Sequence, residues 1–306
     1  MPSQPIVIDT KMHGRDGITG AFILEGRKTA LVETGPKSSI EHVSAGIDAA
    51  GIDSIDWIVV THIHLDHAGA AGALAARWPE ARVAVHTVGA PHLADPAKLW
   101  ASATRIYGDE MDALWGGIDP IDPDRITALV DGDVVDLGGR RLTAVDTPGH
   151  ASHHHAFVDD DTGIMFAGDA LGVRLPDIGV MRPATPPPEF HLETAIKSIE
   201  RIRSLQPAEL WLTHFGAANV GATPLDVDEA CDEAIAALRE WEGWVRKARE
   251  ETNDLDDVAH SVAEQVRSAL EGGIDPAAIE RMEQTTSYRM NTWGYMRYLD
   301  KSESAA

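Results

Sequence analysis

An α+β fold, a four-layer αββα sandwich with a C-terminal helical extension, is what this chain predicts. Three observations carry it. Short apolar runs alternate with helical patterns, hairpin-like pairs of runs occur among them, and from Pro224 onward the pattern is helical throughout. Strands alternating with helices build two facing sheets with helices outside. The boundaries that follow are 1–223 for the sandwich and 224–306 for the extension.

Taken in order, Pro5–Asp9, Gly20–Leu24 and Thr29–Glu33 are separated by Gly-marked and charged turns, the pattern of antiparallel strands. Ser38–Gly51 predicts a helix. Ile55–Thr61, with Trp57, Ile58, Val59 and Val60 in succession, predicts a buried strand. His67–Trp78 is Ala-rich and helical, and Pro79 closes it. Ala81–His86 predicts another short strand. Residues 91–128 form a long connection broken by Pro and Gly, with a helical piece around Pro96–Arg105. Strands recur at Val134–Leu137, Arg141–Val145, Ala156–Val158 and Gly163–Ala167, then Glu189–Ser204 predicts a helix and Glu209–Thr213 a last strand.

In the extension, Val227, Cys231, Ala234, Leu238, Trp241 and Val245 recur at spacings of three and four, the stripe of an amphipathic helix. Leu255–Leu270 continues helically, and a third helix from Pro276 carries Ile279, Met282, Trp293, Met296 and Leu299 on one side. Such stripes need a partner surface. The extension either covers exposed core or, through Tyr288, Trp293, Tyr295 and Tyr298, serves as a lid or a homodimer contact.

The 306 residues are enough for a sizeable core. With 26 Lys+Arg against 49 Asp+Glu, the net charge is −23. That surface repels phosphate backbones and anionic lipid, so nucleic acid and membrane are excluded as expected partners. Cys231 is the only cysteine, which rules out an internal disulfide. No signal-peptide pattern opens the chain, and no run approaches the roughly 18 apolar residues that span a bilayer. A soluble cytoplasmic protein acting on a small molecule is the expectation.

The most informative stretch is Thr61-His62-Ile63-His64-Leu65-Asp66-His67-Ala68-Gly69, directly after the run Trp57–Val60. Imidazole and carboxylate are ligands that Zn²⁺ and Fe²⁺ take up readily. Three further segments place one metal-competent side chain each where a short apolar run meets a Gly- or Pro-marked loop. They are Asp146-Thr147-Pro148-Gly149-His150, Phe166-Ala167-Gly168-Asp169 and Leu212-Thr213-His214-Phe215-Gly216.

With these four elements in this order, the chain resembles the metallo-β-lactamase-fold hydrolases, in the branch of glyoxalase II and the acyl-homoserine lactonases. The resemblance covers residues 6 to about 220. It implies two divalent metal ions, Zn foremost, with Fe or Mn as alternatives. One would be held by His62, His64 and His150, and the second by Asp66, His67 and His214, with Asp169 bridging. One departure stands out: Glu33-Thr34-Gly35 occupies the place where family members usually carry Asp-Thr-Gly, a position that supports the metal loop from behind.

The function so implied is hydrolysis of a small ester, thioester or lactone by a metal-bridging hydroxide. Asp66 would bind metal and also orient that hydroxide as a catalytic residue. The alternatives are a mononuclear iron persulfide dioxygenase type of oxidoreductase and, behind it, a phosphodiesterase. Of the run His153-His154-His155, strand alternation would put His153 and His155 on one face and His154 on the other, with His154 supporting the ligands. Substrate contacts are expected among Trp100, Tyr107, Arg174 and Met181, with Arg174 and Arg182 as candidates for a carboxylate or phosphate.

Overall fold

The computed structural model of this chain describes residues 3–221, 223–270 and 275–305. Its backbone divides into two compact units, one formed by Met1–Asp146 with His153–Gly168 and the other by Thr147–Ser152 with Asp169–Ala306.

The first unit is built on a six-stranded mixed sheet in the order β1 (Ile6–Asp9), β2 (Gly20–Glu25), β3 (Thr29–Val32), β4 (Trp57–Val59), β5 (Arg82–His86) and β6 (Ile126–Leu129). The first three strands pair antiparallel and the rest parallel. One face carries Ile8, Ala21, Ile23, Leu31 and Ile58, and packs on α1 (Ile40–Ala49) and α3 (Ala71–Arg77) through Val43, Ile47 and Leu74. Burial on that face follows the period-2 side-chain alternation of strands. The opposite face presents Phe22, whose ring meets Phe166 at 5.4 Å. Phe166 belongs to an antiparallel run of β7 (Val134–Asp136), β8 (Arg141–Asp146), β9 (His155–Asp159) and β10 (Ile164–Gly168). Two sheets thus face each other, as the sequence predicts.

The strand Ile126–Leu129 falls at the end of the stretch 91–128, expected as an irregular connection, where four residues just after the turn Pro123–Arg125 make too short an apolar run to register. The same stretch holds α4 (Ala90–Ala94), α5 (Ala97–Tyr107) and α6 (Met111–Trp115). The helix expected at 67–78 is two pieces, α2 (Leu65–Ala68) and α3. The Gly69 and Ala70 amides still donate to Leu65 and Gly35 carbonyls, so the turn holds its backbone bonds while changing direction.

In the second unit α7 (Leu192–Ser204) starts three residues later than expected, capped by the His191 side chain. A short hairpin follows, β11 (Glu209–Leu212) with β12 (Gly216–Ala217). The long helix α8 (Val227–Arg249) opens with a reciprocal capping box, Asp226 with Glu229, and buries Cys231, Ala234, Leu238, Trp241 and Val245. Then come α9 (Leu255–Leu270), α10 (Pro276–Thr285) and α11 (Tyr288–Ala305). The single third helix of the sequence reading is therefore two. The chain breaks at Thr286-Ser287, where the Thr286 carbonyl turns to accept from Arg182.

Candidate metal centre

In the first unit, β4 leads into a turn that carries His62 and His64, and α2 supplies Asp66 and His67. The Thr34 amide and hydroxyl both donate to the His67 carbonyl at 2.8 Å, which ties the short helix to the end of β3. Behind the histidines lies Glu33, fully buried and held in a left-handed conformation at φ 65°. Its Oε1 accepts the Thr61 hydroxyl at 2.6 Å and stands 3.3 Å from His67 Nδ1. Because the Thr61 hydrogen goes to Glu33, Thr61 can only accept from His62 Nδ1, 3.0 Å away. The lone pair of His62 is thereby directed to Nε2, which faces His64 Nδ1 at 2.9 Å. Next to them, His67 Nε2 and Asp66 Oδ2 stand 3.6 Å apart.

In the second unit, His150, Asp169 and His214 meet. The Nδ1 of His150 donates to the Ala184 carbonyl at 2.9 Å, leaving its Nε2 as the lone-pair nitrogen. That Nε2 is 3.6 Å from Asp169 Oδ2, while His214 Nε2 is 3.7 Å from Asp169 Oδ1. Each carboxylate oxygen addresses a different imidazole. All three residues are buried.

These donors fit divalent metal. Two ligands held 2.1 Å from a tetrahedral ion lie roughly 3.4 Å apart, close to the 3.6 and 3.7 Å separations found here. Each of His62 and His150 has its other nitrogen engaged by a neighbouring oxygen, the arrangement that orients a metal-ligating imidazole.

Residues 14–214 match the profile of the metallo-beta-lactamase superfamily. This chain belongs to that superfamily. Among its relatives, a metallo-β-lactamase fold-containing protein of Sulfurisphaera tokodaii is 31% identical over 204 residues, covering 65% of this chain and 73% of that protein. A hydroxyacylglutathione hydrolase of Acidiphilium cryptum is 29% identical over 223 residues, covering 72% of this chain and 74% of the relative. An archaeal superfamily member from Sulfolobus tokodaii, known as a crystal structure, superposes with a TM-score of 0.65. It covers 91% of this chain and 93% of its own at 24% identity, a likeness of fold. The metallo-β-lactamase sandwich with C-terminal helices, expected from the sequence, is the fold of this chain.

Within this superfamily member the three adjacent histidines behave differently from a strand alternation. The strand β9 starts only at His155, so His153 and His154 precede it and are free of its period. Both rings sit by His62, at centroid distances of 6.1 and 4.9 Å, and His153 also meets His64 edge-on at 5.6 Å. His154 Nε2 and Thr61 Oγ1 crowd Gly168 so closely that a Cβ there would lie 2.6 and 2.7 Å from them. His155 turns away to Asp146, with Nε2 to Oδ1 at 2.7 Å, and His86 Nε2 approaches the same oxygen at 3.6 Å. This second His–Asp–His group spans both sheets of the first unit. The Val88 amide donates to His86 Nδ1 at 3.0 Å, leaving the proton on Nε2 where an ion would need a lone pair. It is a hydrogen-bonded cluster, and burial holds both imidazoles below the usual histidine pKa despite the Asp146 charge.

Around Asp66 the expected wall residue Tyr107 packs its ring on Trp115 at 5.1 Å, with Trp100 half-buried in the same cluster. Burial, and next the Asp66 charge, push the Tyr107 phenol well up. His13, which the sequence reading passed over, meets Trp115 at 5.9 Å from the left-handed turn after β1. The two arginines correct an expectation. Arg174 and Arg182 are each 2% exposed and committed to the protein interior. Arg174 binds Thr223 through its hydroxyl and carbonyl, and Arg182 binds the Thr286 carbonyl, Glu283 and the Tyr288 hydroxyl. Neither is available to a substrate anion. Met181 is likewise buried.

Proposed function

We propose that this superfamily member is a dinuclear metal-dependent hydrolase that cleaves a small ester, thioester or lactone. The proposed ligands are His62, His64 and His150 for one ion, Asp66, His67 and His214 for the other, and Asp169 for both. The observation that carries the reading is Asp169: its two oxygens address two different imidazoles, His150 and His214. One carboxylate so disposed suits two ions and is more than a mononuclear iron site needs. The likeness to a protein named hydroxyacylglutathione hydrolase supports the hydrolytic side.

Bound metals would supply a hydroxide at neutral pH and a counter-charge for the developing oxyanion. The chain's residues do the rest. Glu33 and Thr61 hold His62 with its lone pair outward, and the Ala184 carbonyl does the same for His150. Asp66, whose side chain is only 15% exposed, accepts a hydrogen bond from the attacking water. It takes up that proton as the oxygen attacks and then passes it to the departing oxygen or sulfur. Half-buried Trp100 and Tyr107 pack against the apolar cluster that includes Leu65, the residue before Asp66. The test is metal analysis of protein purified without added metal, with thioester, lactone and phosphodiester substrates. Two equivalents of metal with thioester or lactone turnover are expected. One equivalent of iron with oxygen consumption would turn the reading to a dioxygenase, and phosphodiester turnover alone would make it a phosphodiesterase.

A further inference from the structure

The C-terminal helix α11 reaches the proposed metal ligand His150 through a short, buried relay. His150 Nδ1 donates to the carbonyl of Ala184 at 2.9 Å, and this bond fixes which imidazole nitrogen faces Asp169. Ala184 lies in segment 183–185, outside the regular strands, so no sheet ladder sets its carbonyl direction. A single side chain holds it from both sides instead. Asn291 of α11 accepts the Thr185 amide on Oδ1 at 2.9 Å and donates from Nδ2 to the Pro183 carbonyl at 2.7 Å. The Thr185 hydroxyl adds a bond to the Asn291 carbonyl at 3.1 Å, and Thr286 Oγ1 donates to Asn291 Oδ1 at 2.8 Å. Asn291, Thr185 and Thr286 are 0, 0 and 2% exposed, so water cannot replace these bonds.

Two neighbours fit the same purpose. Gly294 lets the helix approach so closely that a Cβ there would stand 1.7 Å from the Thr185 carbonyl oxygen. Arg182, immediately before the segment, anchors on the Thr286 carbonyl at 3.0 Å and on the Tyr288 hydroxyl at 3.0 Å. The backbone flanking Ala184 is thus bound on both sides to the start of α11.

We propose that Asn291 is a positioning residue for the metal centre, aiming the Ala184 carbonyl so that His150 is held in its metal-binding tautomer. The proposal rests on reading His150 as a ligand. A carbonyl or carboxylate behind a ligating histidine is worth 10–100-fold in metal affinity. Asn291 controls that carbonyl from one step further away, so Asn291→Ala should weaken one of the two metal equivalents by about 10-fold.

The experiment is chelator competition on the full-length protein, followed by the visible spectrum of the cobalt-loaded form and by thermal unfolding. Tyr295→Phe is the comparison variant. It removes the bond from the Tyr295 hydroxyl to the Leu238 carbonyl, 2.7 Å in the wild type, loosening α11 while keeping the Asn291 side chain and its bonding groups. The expected result is that both variants melt earlier, while only Asn291→Ala shifts the chelator curve and the cobalt spectrum. If Asn291→Ala is recovered unfolded, Thr185→Ala, which loses one bond, takes its place with the same readouts. Unchanged metal affinity and spectrum in a folded variant of Asn291 or Thr185 would overturn the proposal and leave the hydrolase reading intact. A wild-type protein that takes up no metal would overturn the reading itself.

Discussion

At Glu33 the chain carries one more methylene than the aspartate usual in its superfamily, and the longer side chain serves two of the proposed ligands at once. Its Oε1 takes the Thr61 hydroxyl, which sets the tautomer of His62, and also faces Nδ1 of His67. Removing the charge should therefore weaken both imidazoles as donors. Glu33→Gln is expected to lose about 10–100-fold in metal affinity with the fold retained, as read by chelator competition and circular dichroism. Unaltered affinity would mean that Glu33 only fills space. Asp66 makes a different claim. Its proposed work on the attacking water and the leaving group belongs to the transition state, so Asp66→Ala should lower kcat by at least about 100-fold with a smaller change in KM. A steady kcat with a raised KM would reassign Asp66 to substrate binding.

Among the elements, the junction of β5, β8 and β9 holds a histidine pair whose charge state bears on stability. Burial lowers the pKa of His86 and of His155, and for His155 the neighbouring His86 lowers it further. A depressed folded-state pKa means that the unfolded chain binds protons more readily. The stabilising contribution is then complete above the unfolded histidine value near 6.5 and is lost as pH falls through the folded values. Thermal melts between pH 7.5 and 5 should show a falling Tm, and His155→Gln should flatten that fall. An equally steep profile in the variant would place the acid sensitivity elsewhere. In α11, Gly294 is required by close approach, since a Cβ would meet the Thr185 oxygen at 1.7 Å. Gly294→Ala improves intrinsic helix propensity yet should destabilise by about 1–3 kcal/mol through overpacking, measured as a lower urea midpoint.

For the whole molecule, the helices after residue 223 belong to the same compact unit as His150, Asp169 and His214. The Arg182 guanidinium and the Thr185 amide and hydroxyl bond to groups of α10, α11 and the turn between them. A chain ending at residue 221 would strand these groups without partners, each costing about 1–3 kcal/mol, more for the charged Arg182. It should be insoluble or inactive. A soluble truncated form that binds two metals and turns over substrate at the full rate would show the extension to be separate from the site. Among the described residues no helix is long and apolar enough to cross a membrane.

The order of ligand-type residues was legible in the sequence because each sits where a short apolar run meets a loop, and such junctions are local. His62, His64, Asp66 and His67 need only one strand and one turn of helix to be set side by side. The superfamily, the facing sheets and the amphipathic stripe of α8 followed from local pattern in the same way. Other features were not local. The strand Ile126–Leu129 owes its place to parallel pairing with β5, which no four-residue window reveals. The arginines at 174 and 182 read as free cations in an acidic chain, and only packing gave them buried oxygen partners as far away in sequence as Thr286 and Tyr288. The same holds for the support behind His150. A backbone carbonyl carries no residue signature, and its direction is set by Asn291, 107 positions beyond Ala184. The sequence by itself determined which residues are candidate metal ligands, whereas tertiary structure decided which nitrogen of His62 and of His150 keeps its lone pair, because a tautomer follows from the partner on the opposite side of the ring.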